Sequence, residues 1–374
     1  MPAKRFFFFI LLITTNTWSC KPKEVVVSPT PPATVTFAAQ PKNIVLMIGD
    51  GMGLSQISAG IYSRDTKLNM ERFSVIGLQK TYSANNLITD SAASATAMAC
   101  GKKTYNSAIG LDTDTIPCKT ILEEAEERGL ATGLVVTSTI NHATPAAFIA
   151  HQKLRIMYEE IATDFLKTDI DFFVGGGRKY FDEREYDKRN LVKELRNKGY
   201  HISDYSPKNL SSLTSKKENK FGFFTSENKP PPFSQGRRYL PYASQTAVQF
   251  LEQKSDKGFF LMIEGSQIDW AGHANQGYFM LDELLDFDDA VGKVLQFADK
   301  NGETLVIVTA DHECGGFAIN PKSKRKRLRF AFTTNNHTGT MVPVFAYGPK
   351  AELFRGIYEN TEIYFKMMEA FGFQ

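Results

Sequence analysis

Apolar, strand-like runs at residues 43–48, 132–138, 171–174, 258–263, 304–309 and 341–347 alternate along this chain with helix-like segments at 91–99, 119–128, 158–166 and 279–299. That alternation is the pattern of an α/β fold: a doubly wound, mostly parallel central sheet with helices on both faces. Residues 201–240 break the rhythm with Ser, Lys, Asn and the prolines 230–232, and read as a surface insertion. The 374 residues, 42% hydrophobic, can bury one large core, expected to begin near Pro41 and to run to residue 374 as a single catalytic domain.

What precedes that core reads differently. Lys4 and Arg5, the apolar run 6–13 and small or polar residues up to Ser19 and Cys20 form a signal peptide, because the run is too short to cross a bilayer. Cys after Ser at this place resembles a lipoprotein cleavage site with Cys20 as the lipidated residue, although Thr17 stands where Leu is usual; plain secretion is the alternative. Residues 21–40, rich in Pro, Val and Thr, read as a flexible stalk. An exported protein of the periplasm or cell envelope is expected. The net charge of +3, or +1 without Lys4 and Arg5, implies no nucleic-acid partner. Three further cysteines, Cys100, Cys118 and Cys314, allow one disulfide at most.

Open parallel sheets bind ligands beyond the carboxyl ends of their strands. Four of the six runs lead into metal-ligand or hydroxyl chemistry there: Ile48 into Asp50, Ser138 into His142 and Thr144, Ile263 into Glu264, Asp269 and His273, and Thr309 into Asp311 and His312. Asp269 and His273 share a face if their turn is helical, and with one more neutral imidazole they would suit zinc. Ser91 lies in a small-residue run, 89–97. If it opens a helix, its hydroxyl sits where backbone N–H groups favour a phosphoryl anion. Taken singly, each feature has a plainer explanation: a surface Asp, a hydrogen-bonded His, a serine N-cap.

Taken together, the segments 48–53 (IGDGMG), 89–97 (TDSAASATA), 142–145 (HATP), 264–273 (EGSQIDWAGH), 309–313 (TADHE) and 337–339 (HTG) resemble the alkaline phosphatases over roughly residues 41–350. The resemblance implies hydrolysis of phosphate monoesters of broad range, with Ser91 as covalent nucleophile and Arg155 gripping the phosphoryl oxygens. It implies one zinc on Asp269, His273 and His337, a second on Asp50, Asp311 and His312 beside Ser91, and a magnesium on Asp50, Thr144 and Glu264. A homodimer is common in the family. His142 and Trp270 stand where the enterobacterial branch has Asp and Lys. Trp270 offers phosphate no cation, and His142 shifts the third site toward zinc.

Other features are set aside. The six basic residues within 322–329 read as a solvated loop, or more sharply as a charge that steers anionic substrates to the mouth. Cys314 reads as a packed thiol, His151 as a core or supporting residue, His201 as a surface residue, and Glu283, Asp286, Asp288 and Asp289 as the polar face of a helix. The rival readings are a phosphodiesterase or sulfatase on a related scaffold, and a non-catalytic phosphate- or metal-binding lipoprotein. A sulfatase needs a CxPxR-type context, which Ser91 lacks; a diesterase typically presents Thr as nucleophile and has no counterpart of Arg155; the binding protein would have lost Ser91 or a ligand.

Overall fold

The structure is a computed structural model that describes residues 1–2, 35–204 and 219–373. The leader and most of the stalk lie outside the described residues. The chain forms two units, Met1–Val35 and Thr36–Gln374, and everything below concerns the second. That body begins a few residues before Pro41: Phe37 packs its ring edge-on against Tyr347 at 5.2 Å, and Ala38 N–H donates to the Gly302 carbonyl.

Fourteen strands follow in chain order: β1 Asn43–Gly49, β2 Val75–Lys80, β3 Ala131–Thr139, β4 Phe172–Gly176, β5 Tyr200–Asp204, β6 Lys220–Phe224, β7 Phe259–Gly265, β8 Thr304–Thr309, β9 Glu313–Cys314, β10 Phe317–Ile319, β11 Phe330–Phe332, β12 His337–Thr338, β13 Val342–Tyr347 and β14 Gly356–Glu359. Ten make the central sheet, in the order β14-β2-β13-β8-β1-β7-β3-β4-β6-β5. The strands run parallel except β13, which is antiparallel to both its neighbours. β1, β3, β7 and β8 are buried along their whole length. Successive side chains of β1 feed opposite layers: Ile44, Leu46 and Ile48 pack into one apolar cluster, Val45 and Met47 into the other. This is the two-sided burial that parallel sheets require, so the expected doubly wound architecture is the one observed.

Two expectations need correction. Residues 201–240 are not simply an insertion on the surface, because β5 and β6 within them continue the sheet and Phe221, Phe223 and Phe224 are buried. Their polar surroundings masked a short strand.

Glu283, Asp286 and Asp288 are not a solvated face, since all three are buried on the Gly277–Asn301 helix, while Asp289 is exposed. Buried Arg237 pairs with Glu283 and, at 2.6 Å, with Asp286. Asp288 accepts the backbone N–H groups of Asn69 and Met70 at 2.8 and 3.0 Å. Charges survive burial only with such partners.

The basic run is a solvated loop, as its plainer reading has it. Lys326 N–H donates to the Tyr62 carbonyl, Arg325 donates to the Arg64 carbonyl and Lys326 pairs with Asp65, all at the end of the Leu54–Ser63 helix remote from Asp50.

The Arg237 cluster yields a stability prediction. In Arg237→Met two carboxylates remain buried without their cation, which should cost about 3–5 kcal/mol. Urea unfolding measures it, and a loss below about 1 kcal/mol would contradict the role given to the cluster.

Candidate active site

The four strands whose ends looked chemically loaded are neighbours, β8-β1-β7-β3, so the sheet itself gathers Asp311, Asp50, Glu264 and His142. Past β1 the chain turns at Gly51, with φ +71°, and Gly51 N–H donates to Asp311 Oδ1 at 3.1 Å. A Cβ there would lie 2.9 Å from both Asp269 Cα and Cys314 Cβ, so only glycine permits this approach. Past β7, Gln267–His273 is helical and brings Asp269 Oδ2 to 3.3 Å from His273 Nε2. β12 pairs with β9, which carries His337 back so that its Nε2 lies 3.4 Å from Asp269 Oδ1.

Two clusters result. Asp269, His273 and His337 form one, with Cys314 alongside; Asp50, Asp311 and His312 form the other. In the first, the Nε2 atoms of His273 and His337 face each other at 3.1 Å, while their Nδ1 atoms meet the Asn335 and Thr89 carbonyls at 2.7 and 2.9 Å. Those carbonyls hold the protons on Nδ1 and leave both Nε2 lone pairs aimed at one spot, as in imidazoles that ligate a metal. In the second, His312 Nε2 is 3.1 Å from Asp311 Oδ2, 3.5 Å from Asp50 Oδ1 and 3.3 Å from Ser91 Oγ. Cys314 donates to the Asp269 carbonyl, and burial first, then the Asp269 charge, pushes its thiol well up; it is packed beside the cluster.

A further group of oxygens is left without partners. Both Asp50 oxygens, Asp269 Oδ1, Asp311 Oδ2, Glu264 Oε1 and Thr144 Oγ1 are buried and lack a hydrogen-bond partner among the described residues. Burial, then the neighbouring Asp311, Asp269 and Glu264, pushes Asp50 well above the usual carboxylate range. Burial pushes Glu264 up to about 7, with Asp311 acting in the same direction. Burial would raise Asp269 too, but His273, His337 and His312 outweigh it and hold it well down. So much buried carboxyl oxygen without a hydrogen-bond donor fits bound cations, and oxygen-only Asp50, Thr144 and Glu264 suit a hard one.

Ser91 is the first residue of the Ser91–Cys100 helix, all ten residues of which are buried. Asp90 supplies the cap, accepting Ala93 N–H at 3.0 Å, so the serine hydroxyl is not spent on capping. The other Asp90 oxygen accepts from Arg155 Nη1 at 3.0 Å and from Ser107 N–H at 3.1 Å. Asp90 thus ties the start of the Ser91–Cys100 helix to the Arg155 guanidinium. The motif reading passed over it, although an Asp just before a helix is a common capping signal. His142 precedes the short Ala143–Ala146 helix without a side-chain cap bond to it and meets Trp270 edge-on at 6.2 Å. His151 binds the Gly110 carbonyl and Glu123 away from the clusters, and His201 is exposed on β5.

Cation sites, a serine hydroxyl at a helix start and a tethered guanidinium, all at the carboxyl ends of a parallel sheet, define a metal-dependent hydrolase of phosphate esters. The sequence profile of the family "Alkaline phosphatase" matches residues 41–329 and 318–373. Alkaline phosphatase 3 of Bacillus subtilis is 35% identical, over 86% of this chain and 87% of its own length; the alkaline phosphatase of Escherichia coli is 33% identical, over 88% and 86%. The solved alkaline phosphatase of the Antarctic bacterium TAB5 is 44% identical with a TM-score of 0.86, covering 90% of this chain and 99% of its own. A variant of that enzyme with one histidine changed to glutamate has magnesium bound in its M3 site. The chain belongs to the alkaline phosphatase family. It hydrolyses phosphate monoesters with the help of metal ions, by the family's phosphoserine mechanism.

Stripped of cations, the protein should lose stability as pH rises. His273 is lifted to about 9, chiefly by its contact with Asp269; that contribution is complete below the ordinary histidine value of 6.5 and is lost as pH passes 9. Glu264, raised by burial to about 7, follows the same trend at lower pH, since its ionisation opposes folding and the loss runs from the ordinary 4.5 up to about 7. Chelated protein should therefore melt at a lower temperature at pH 9 than at pH 6.5, and cation-loaded protein should not show the drop. Thermal unfolding with and without chelator measures this; equal melting of the chelated form at both pH values would contradict it.

Proposed function

We propose that Ser91 is the nucleophile, that Arg155 grips the phosphoryl oxygens, and that three cation sites serve them. The observation that carries this reading is the Ser91 hydroxyl: buried, free of capping duty and 3.3 Å from His312 Nε2. Zinc on Asp269, His273 and His337, and zinc on Asp50, Asp311 and His312, accord with mixed imidazole and carboxylate donors. The third site is Asp50, Thr144 and Glu264, with magnesium as the ordinary occupant. Bound cations there would supply the positive charge that lets an anionic oxygen approach a phosphate dianion.

The chain's own residues account for the rest. Ser91 Oγ, its proton released to water, attacks phosphorus in line; the P–O bond to the substrate alcohol breaks, and the departing alkoxide takes up a proton from water. The Asp90-tethered Arg155 presents N–H groups to the non-bridging oxygens and holds the phosphoryl group in register. Water then cleaves the phosphoserine and inorganic phosphate leaves. Two in-line displacements retain configuration at phosphorus. Recognition is confined to the phosphoryl group, which supports a broad range of monoesters.

Export accords with the leader-like residues 1–20, with Cys20 as the candidate lipid attachment and 21–40 as a stalk. Among the described residues no helix is long and apolar enough to cross a membrane. Family membership supports a homodimer.

Two experiments test the site. Ser91→Ala should abolish covalent labelling by phosphate and lower kcat by roughly a thousandfold or more, and undiminished labelling would sink the assignment. For the third site, burial holds His142 neutral, with a value of about 3, so it can offer a nitrogen but no negative charge. Wild type should carry zinc there in part, whereas His142→Asp should carry magnesium. Elemental analysis of both proteins decides; magnesium alone in the wild type would refute a nitrogen contribution from His142.

A further inference from the structure

Trp270 brings no charge to the mouth, but a neighbouring loop does. After β6 the chain crosses the sheet's carboxyl edge through residues 225–232, and its backbone is docked on both sides of Lys229. Gly177 N–H donates to the Ser226 and Asn228 carbonyls at 3.1 and 3.0 Å, and Lys179 N–H to Glu227 at 3.1 Å. From the other side, Gln267 Nε2, on the helix that carries Asp269 and Trp270, donates to the Pro230 carbonyl at 3.1 Å. A methyl group at Gly176 would come within 2.4 Å of the Asn228 carbonyl oxygen, so the loop lies hard against the end of β4.

Held in this way, Lys229 places its Nζ 5.0 Å from the centroid of the Trp270 ring, whose edge-on contact continues to His142. The residue is exposed and has no ion-pair partner among the described residues. Its charge, with that of Arg155, bears on His142. The indole face keeps an otherwise mobile ammonium beside Trp270, one ring away from His142.

We propose that Lys229 is an anion-binding residue of this phosphatase, supplying substrate and product phosphate with the cation that Trp270 cannot provide. The inference rests on the phosphate site proposed above. Lys229 is reached from a different strand than Trp270 and from a different part of the sequence, 41 residues upstream. It acts on binding rather than on the chemical step, because it stands at the mouth and not among the groups around Ser91.

The test uses the metal-loaded full chain with an aryl phosphate as substrate and inorganic phosphate as inhibitor. Lys229→Met keeps the stem over the indole and removes the charge; Lys229→Arg keeps the charge. At low salt the Met variant should raise both KM and the phosphate Ki by about three- to tenfold, with kcat unchanged or higher, and the gap should close as salt is added. The Arg variant should stay within about twofold of wild type. Unchanged KM and Ki in the Met variant overturn the proposal, and so does a rise that salt does not diminish, which would reflect lost packing. A wild-type protein that turns over no phosphomonoester would instead defeat the underlying phosphate-site reading.

Discussion

The structure depends on a concentration of negative charge that it cannot neutralise by itself. Asp50, Glu264, Asp269 and Asp311 converge at the ends of adjacent central strands, all buried, with oxygens that find no hydrogen-bond donor among the described residues. Elsewhere two buried carboxylates share a cation of the chain's own, as Arg237 serves Glu283 and Asp286. The contrast separates a structural ion cluster from a site made for divalent cations. Sheet order, the glycine turn at Gly51 and the β9–β12 pairing all serve to bring these oxygens and three imidazoles within reach of common centres.

Ser91, the proposed nucleophile, is positioned with similar economy. Asp90 caps the Ser91–Cys100 helix with one oxygen and tethers Arg155 with the other, so the hydroxyl and the guanidinium are set by a single carboxylate. The small residues of that helix allow it to be buried on every side, which fixes Ser91 against His312.

Much of this was legible in the sequence because strand ends are local. The apolar runs that became β1, β3, β7 and β8 point directly to Asp50, His142, Glu264 and Asp311, and the i, i+4 spacing of Asp269 and His273 is a helical spacing in the structure too. His337 entered through the family resemblance, since a two-residue strand leaves no periodic trace. What stayed hidden depended on distant partners. Lys229 gains meaning only from Trp270, and Glu283 and Asp286 looked solvated because their partner Arg237 lies 46 and 49 residues away in sequence. Short strands such as β6, set among polar residues, carry too little apolar pattern to be read.

The two ligand clusters are unequally enclosed. Asp50, Asp311 and His312 are sealed from solvent, whereas the His273 side chain is 40% exposed and His337, on the short β9–β12 ribbon, is 12% exposed. If the two clusters hold ions as proposed, the outer ion would have the shorter way out to solvent and the inner one would be the harder to exchange, so that scarcity of metal would empty the rim first.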